Sequence, residues 1–221
     1  MGLTINNAIM TEHISITEAG DSRFYDGLPS VTTVLDVIHE PWLTRWRGRV
    51  GNEEADRIAN EAAWMGSRIH DLLAVRGILI LDEFYLVEPD PDVGMAVNSY
   101  SEWESRHVDK WLYIEQSFRS ARFGIGGTPD RIGHIKGDPS NNLTLVDLKT
   151  TNQPSIKHRF QTAGYKLILR DNGIDISRRL VLYLPTSRSD RKIISVKEHT
   201  NDDVDDAAIL ACITLYNAMK G

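Results

Sequence analysis

The spacing of apolar residues predicts a mainly helical first half of the chain. Before it, His13–Thr17 and Arg23–Tyr25 flank a turn-like segment and predict a small hairpin. Apolar residues then recur with the period of an α-helix. The predicted helices are Val31–Ile38, Pro41 to about Val50, Glu53–Arg76 and Asp92–Asp109. Ser30 is the expected cap of the first helix, and an interruption is expected near Gly66 in the third.

Aromatic and β-branched residues replace the helical period in the second half. Three successive strands are predicted over Trp111–Phe118, Gly126–Ile135 and Leu143–Leu148. A helix follows over Ser155–Arg170, then strands over Arg179–Leu184 and Lys192–Val196, and a closing helix over Asp203–Met219. The order helix, three strands, helix, strand predicts an α/β fold in which helices flank a central sheet.

Length and composition narrow the class of protein. A chain of 221 residues supports one substantial core, and we expect a single domain over residues 1–221. Its 41% hydrophobic and 25% charged residues are ordinary for a soluble protein. No apolar run reaches the roughly 18 residues of a membrane span, and the N-terminus has no signal-peptide pattern. We therefore expect a cytoplasmic protein that does not associate with membranes.

The single cysteine, Cys212, excludes several kinds of site. One thiol cannot form an internal disulfide, a four-cysteine iron–sulfur cluster or a CxxC zinc site. Cys212 lies in an apolar run, which favours a buried core thiol. The net charge of −6 argues against a nucleic-acid binder coated with basic residues. It does not exclude a nucleic-acid enzyme, because charge can be distributed unevenly.

The strongest chemical signal is Asp130, which follows Thr128-Pro129, together with the later triplet Asp147-Leu148-Lys149. Alternation along a strand places Asp147 and Lys149 on one face, while Leu148 points into the core. If the two strands pair as a hairpin, Asp130 meets Asp147. Two such carboxylates repel each other unless a cation lies between them, and oxygen ligands suit Mg²⁺ or Mn²⁺. A lysine beside that metal can orient water and stabilise a phosphate, which is a set of groups for hydrolysing a phosphodiester.

Four further residues are candidates, each with a structural alternative. His70 lies on a predicted helix, where a lone histidine also occurs as an interior or surface residue. Glu115 lies in the first predicted strand, where it could equally be a solvated charge. Gln161 and Tyr165 are one helical turn apart and share a face, as ordinary packing residues also do.

Taken in order, these residues resemble the PD-(D/E)xK nuclease superfamily, and more narrowly its RecB-type branch. The motifs are a small-residue helix ending in histidine, an acidic residue, a glycine-rich segment ending in aspartate, Asp-x-Lys and Gln-xxx-Tyr. Here they are Gly66…His70, Glu115, Gly126…Asp130, Asp147-Leu148-Lys149 and Gln161…Tyr165. The segment Leu28–Leu35 and Trp46 are also similar to the N-terminal region of phage exonucleases and of the mitochondrial genome maintenance exonuclease.

The resemblance implies a restriction-endonuclease-like αβββαβ core and a role for each residue. His70, Asp130, Asp147 and the Leu148 carbonyl would hold Mg²⁺ or Mn²⁺, with Glu115 as a further ligand, direct or through water. Lys149 would position the attacking water. Gln161 and Tyr165 would support the catalytic site or touch DNA. Many RecB-type relatives carry an iron–sulfur cluster, which this chain cannot hold, and it has no phosphate-binding loop of a helicase motor.

Contact with the DNA backbone requires cations. The candidates near the proposed site are Arg119, Arg122, Arg131, Lys157 and Arg159, with His158 beside the last two. Further clusters are Arg45, Arg47 and Arg49, and Arg188, Arg191 and Lys192. Each cluster is equally consistent with a solvated surface. Trp42 and Trp46, which lie one helical turn apart, are typical of a core more often than of a base-stacking platform.

The favoured function is a metal-dependent DNA exonuclease, a hydrolase of phage or prophage recombination or of DNA repair. One alternative is a structure-specific or sequence-specific endonuclease, because the same core serves both activities. Another is a non-catalytic DNA-binding protein on the same fold, against which Asp130, Asp147 and Lys149 argue. The family context also allows a single-strand annealing protein as partner and an oligomer, and it places a phage-encoded protein in the bacterial host cell.

Overall fold

The computed structural model describes residues 13–20, 22–79, 90–138, 142–151, 153–186 and 191–220. The helices are α1 Val31–Leu35, α2 Pro41–Val50, α3 Asn52–Leu79, α4 Pro91–His107, α5 Ile156–Asp171 and α6 Asp202–Lys220. The strands are β1 Ile16–Ala19, β2 Ser22–Tyr25, β3 Leu28–Pro29, β4 Val108–Ile114, β5 Phe118–Ser120, β6 Ile125–Gly127, β7 Arg131–Ile135, β8 Leu143–Lys149, β9 Arg178–Tyr183 and β10 Ser195–His199.

A five-stranded mixed sheet forms the centre of the fold. Its strand order is β10-β9-β8-β7-β4, in which β8 and β9 run parallel and the other neighbours run antiparallel. The order α4, β4, β7, β8, α5, β9 along the chain is the expected αβββαβ core. The prediction of an α/β fold with a central mixed sheet flanked by helices is therefore confirmed.

Each face of the sheet carries its own layer of helices, because successive strand residues point to opposite faces. On β8, Leu145 packs into the core made with α1, α5 and α6. Val146 and Leu148 pack into the other core, against Met65 and Ile69 of α3 and the apolar side of α4. Leu148 is fully buried, as the alternation predicts. Asp147 and Lys149 therefore lie on the α5 side of the sheet.

The two long strands predicted at the start of the sheet are both divided in the structure. The first ends at Ile114, and Glu115 follows it with a positive φ of 48°, outside the strand in which it was predicted. The second is broken by Thr128–Asp130, so Asp130 lies just before β7. The pieces β5 and β6 pair with each other as a separate two-stranded sheet.

Several other boundaries differ from the sequence prediction. Helix α3 continues through Gly66 without the expected interruption. Helix α4 ends at His107, and Asp109 belongs to β4. Strand β10 begins at Ser195, three residues later than expected. The caps are confirmed, since the side chains of Ser30 and Ser155 accept hydrogen bonds from backbone N–H groups at the starts of α1 and α5.

The glycines of β6 allow the small sheet to approach the main core closely. A Cβ atom on Gly127 would lie 2.5 Å from Cε1 of Tyr165, and one on Gly126 would lie 2.4 Å from Cβ of Tyr25. The Tyr25 hydroxyl lies 2.9 Å from Oγ1 of Thr128, which fixes the start of the segment that leads to Asp130. Within the described part of the chain, none of the helices combines the length and apolar character needed to cross a bilayer.

Candidate metal centre

Three side chains from three separate segments converge at one end of the sheet. His70 comes from α3, Glu115 follows β4, and Asp130 precedes β7. The Nδ1 atom of His70 lies 3.4 Å from Oδ1 of Asp130 and 3.5 Å from Oε1 of Glu115. One nitrogen or oxygen atom from each residue lies within 4.8 Å of the others. This cluster can hold a metal ion.

Backbone hydrogen bonds fix Asp130 between two strands. The Leu148 N–H donates to Oδ2 of Asp130 at 2.6 Å, and the Glu115 N–H donates to the Asp130 carbonyl at 3.0 Å. The pairing of Arg131 with Val146 places Asp130 beside Asp147 at the end of the ladder. The expected β7–β8 hairpin is therefore confirmed, and one carboxylate oxygen of Asp130 remains directed towards His70.

Asp147 is a fully buried carboxylate whose chief neighbour is Lys149. The Lys149 Nζ atom lies 2.8 Å from Oδ2 of Asp147 as an ion pair. Beyond Lys149, no hydrogen-bond donor of the described residues reaches either carboxylate oxygen of Asp147. A buried carboxylate with a single donor is incompletely satisfied, so Asp147 can accept a further cation or a water molecule.

Burial and the charges of the site shift the pKa values of Asp147, Asp130 and His70. Burial raises the pKa of Asp147 to about 6, as does the nearby Asp130, while Lys149 opposes the rise. Burial acts in the same direction on Asp130, but the charges of His70 and Lys149 outweigh it and lower its pKa to about 2. For His70, burial is outweighed by Asp130 and Glu115, which raise its pKa to about 10. A cation bound at the site would favour the charged form of Asp147, which burial disfavours.

The donor set fits a divalent metal. His70, Glu115 and Asp130 supply one nitrogen and carboxylate oxygens within 4.8 Å of one another, and the pairing of β7 with β8 places the Asp147 carboxylate beside Asp130. Oxygen ligands suit Mg²⁺ and Mn²⁺, and the histidine nitrogen is more compatible with Mn²⁺. The role of the Leu148 carbonyl stays a prediction.

Gln161 and Tyr165 lie buried on the face of α5 that covers the carboxylates. Gln161 Nε2 donates to the Tyr165 hydroxyl at 2.8 Å. Burial, and then the charges of Asp147 and Asp130, raise the pKa of Tyr165 well above its ordinary value, so the phenol stays protonated. The pair therefore forms the wall of the site, with Gly127 packed against the tyrosine ring.

The predicted DNA-contacting residues have different environments. Arg131 is fully buried, with Nη1 donating to the Asp130 carbonyl at 2.6 Å and lying 3.5 Å from Glu115 Oε1. Its side chain is therefore part of the core, and the expectation that it contacts DNA is corrected. The other candidates are partly or largely exposed: Arg119 pairs with Asp26, Lys157 with Asp36 and Arg159 with Asp205, while Arg122 lies over the Phe123 ring. Arg188 lies outside the described residues.

His158 and Tyr183 are neighbours of Lys149 that the sequence did not reveal. Nδ1 of His158 accepts from the backbone N–H of Ser155 at 3.3 Å and lies 3.1 Å from the Tyr183 hydroxyl. Burial, and then the charge of Lys149, lower the pKa of His158 to about 3. The imidazole is therefore neutral, whereas the sequence placed it in a cationic cluster. A histidine three residues after the capping serine was the available signal.

A second charged cluster joins α5, β9 and α6 on the same side of the sheet. The Arg179 guanidinium is almost fully buried and binds Asp205 at 2.6 Å and Asp202 at 2.7 Å. Arg159 also pairs with Asp205, and Lys166 pairs with Asp202. Each carboxylate here has cationic partners, in contrast to the incomplete pairing of Asp147.

Comparison with known proteins identifies the class. The family model of the PD-(D/E)XK nuclease superfamily matches residues 42–220, which is most of the chain. The protein therefore belongs to this superfamily, whose members are metal-dependent nucleases that act on DNA.

Two individual similarities are more limited. A segment of 91 residues is 36% identical to the DNA replication ATP-dependent helicase/nuclease dna2 of Schizosaccharomyces pombe (strain 972 / ATCC 24843). The match spans 38% of this chain and 6% of the yeast protein. The crystal structure of SSO0001 aligns with a TM-score of 0.40 and 17% identity, over 85% of this chain and 75% of that one. The structural match is too distant to support an argument about function.

Proposed function

We propose that the protein is a DNA exonuclease of the RecB-type or phage exonuclease branch, active in recombination or repair. The observation that carries the proposal is the buried Asp147, which has Lys149 as its cationic partner and lies beside the cluster of His70, Glu115 and Asp130. A buried carboxylate beside a second carboxylate is costly for stability, and metal-dependent phosphodiester hydrolysis accounts for it.

Each group has a separate task in the proposed mechanism. His70, Glu115, Asp130 and Asp147 would hold a divalent cation, which when bound supplies Lewis acidity and lowers the pKa of a coordinated water. Asp147 holds the Lys149 ammonium at 2.8 Å, where the ammonium can orient the attacking water and offset charge that develops on the phosphate. The hydrogen bond from the Leu148 N–H keeps Asp130 fixed during this step. Gln161 and Tyr165 exclude water from the far wall.

Lys149 provides a direct test of the catalytic site. Lys149→Gln should lower cleavage by a factor on the order of 10² or more in protein that circular dichroism shows to be folded, because the ammonium acts on charge that develops in the transition state. Lys197→Gln, at an exposed position of β10, is the matched control and should cut normally. If the Lys149 variant retained full activity, the assignment of the site would be wrong.

The topology of the DNA substrate distinguishes the three candidate activities. We expect loss of end-labelled linear DNA, but not of covalently closed circular DNA, in the presence of Mg²⁺ or Mn²⁺. Loss of both substrates would establish an endonuclease instead. Binding without any loss would establish a non-catalytic protein on the same fold.

A further inference from the structure

A groove separates helix α2 from helix α3 on the surface beside the proposed site. Its volume is about 790 Å³. One wall is a stripe of four α2 residues, Trp42, Arg45, Trp46 and Arg49, which share one face of the helix at spacings of three and four. The opposite wall comes from small and apolar residues of α3, and the segment Gln153–Pro154 lines the groove as well.

The tryptophans of this stripe are not core residues. Helix α2 contains no buried residue, and 44% of the Trp42 surface is exposed. Trp46 is half-buried in the groove wall. The sequence favoured a core position for both tryptophans, and the structure contradicts that interpretation. An indole face that is exposed in a groove is available to stack on a flat ring.

The charge of the groove is opposite to that of the chain. Arg45 and Arg49 line it, the described lining contains no acidic residue, and the chain as a whole has a net charge of −6. Within the described residues neither arginine has an ion-pair partner, whereas Arg47, on another face of α2, pairs with Asp56. Two uncompensated guanidinium groups beside aromatic rings complement a ligand that contains both phosphates and bases.

The groove reaches the chain segment that leaves the proposed site. Gln153 lies four residues after Lys149, so their Cα atoms are at most about 14 Å apart even if the backbone is fully extended. Pro154 precedes the capping Ser155 of α5. A single strand of a few nucleotides is therefore long enough to reach from the groove to Lys149.

We propose that this groove binds the single-stranded DNA that leads to the active site, a proposal that rests on the proposed nuclease function and deepens it. Bases in a duplex are stacked on each other, and their faces are not accessible to Trp42. Unpaired bases can stack on indole rings while Arg45 and Arg49 contact the phosphates between them. The occupant is therefore an unpaired strand.

Trp42 is the residue that tests base stacking. In EDTA, which prevents cleavage, Trp42→Ala should weaken binding of a fluorescein-labelled oligothymidylate at least ~5-fold by anisotropy, because one stacked base is lost. Trp42→Phe should retain most of the affinity. Trp64→Ala is the matched control, since Trp64 of α3 is 59% exposed but lies outside the groove lining. An abasic oligomer should bind the wild type and Trp42→Ala equally.

The arginines test the contact with phosphates. Arg45→Gln combined with Arg49→Gln should lower the slope of log Kd against log salt concentration by about 1.4, because each phosphate contact on a single strand contributes about 0.7. An unchanged slope would overturn their role. Arg106→Gln, at a position of α4 whose side chain is 72% exposed, is the control.

The outcomes separate this proposal from the nuclease function. Equal effects of Trp42→Ala and Trp64→Ala, or an equal loss of blunt duplex binding in Trp42→Ala, would overturn the single-strand groove. Tight, Trp42-dependent binding in a protein that never cleaves DNA with metal would overturn the nuclease function and support the groove. Cleavage that does not depend on Trp42 or on the two arginines would overturn the single-strand groove and support the nuclease function.

Discussion

Asp147→Asn should stabilise the metal-free protein while abolishing cleavage. The carboxylate is fully buried, has Lys149 as its cationic partner and lies beside the like charge of Asp130. An asparagine has nearly the same shape but no charge to desolvate. The substitution therefore removes the free-energy cost of burying the charge, and it also removes a proposed metal ligand. Stability and activity should change in opposite directions.

The pKa of Asp147 gives the size and the pH window of the effect. The folded protein raises this pKa from 3.8 to about 6, which corresponds to about 3 kcal/mol. Between pH 3.8 and about pH 6, Asp147 of the folded state retains a proton that the unfolded chain has released. The stability of the wild type therefore falls as the pH rises through this range. Asp147→Asn should therefore be more stable than wild type by about 3 kcal/mol at pH near 8, with little difference near pH 4.

The assay is urea unfolding in EDTA at several pH values, with the free energy of unfolding compared between variants. Asp205→Asn is the matched control, because Asp205 is equally buried but binds Arg179 and Arg159. Breaking that paired charge should destabilise the protein by about 3–5 kcal/mol. If Asp147→Asn were destabilising at pH 8, or if its advantage did not depend on pH, the view of Asp147 as an unsatisfied carboxylate would be refuted.

Three further predictions follow from the site and its surroundings. Gly127→Ala should destabilise the fold by about 1–3 kcal/mol in urea unfolding, because its Cβ would lie 2.5 Å from Tyr165 Cε1; wild-type stability would contradict this packing. EDTA should abolish cleavage, and Mn²⁺ should restore it at least as well as Mg²⁺; a titration without Mn²⁺ activity would count against His70 as a ligand. His158→Ala should lower stability by about 1 kcal/mol through loss of the bond from Ser155, whereas His158→Asn should lose less; thermal unfolding that ranks them otherwise would refute the capping role.

Much of the site was accessible from the sequence because it depends on strand alternation. Asp147, Leu148 and Lys149 alternate between the two faces of β8, and that pattern alone predicted which two share a face. The sequence also indicated that Asp130 would meet Asp147 if their two strands paired as a hairpin, and the antiparallel pairing of β7 with β8 fulfils that condition. In these cases local periodicity determines the geometry, so no knowledge of distant contacts was needed.

The rest depended on contacts between distant segments. The apolar pattern of 111–118 does not show that the chain leaves the main sheet at Glu115, because the turn there depends on the positive φ of that residue. Arg131 was predicted at the surface, since its charge is visible in the sequence but its partners, the Asp130 carbonyl and the Tyr100 ring, are not. The same limitation applies to Trp42, whose apolar character suggested a core that helix α2 does not contribute to.

The convergence of four chain segments at the proposed metal site links catalysis to folding. His70, Glu115, Asp130 and Asp147 are far apart in an unfolded chain, so a cation would bind the native state in preference to the unfolded one. Such a ligand raises the stability of the native state in proportion to the logarithm of its concentration. A partly folded chain lacks the assembled ligands, so the proposed metal site forms only when β4, β7 and β8 have paired and α3 has packed against them.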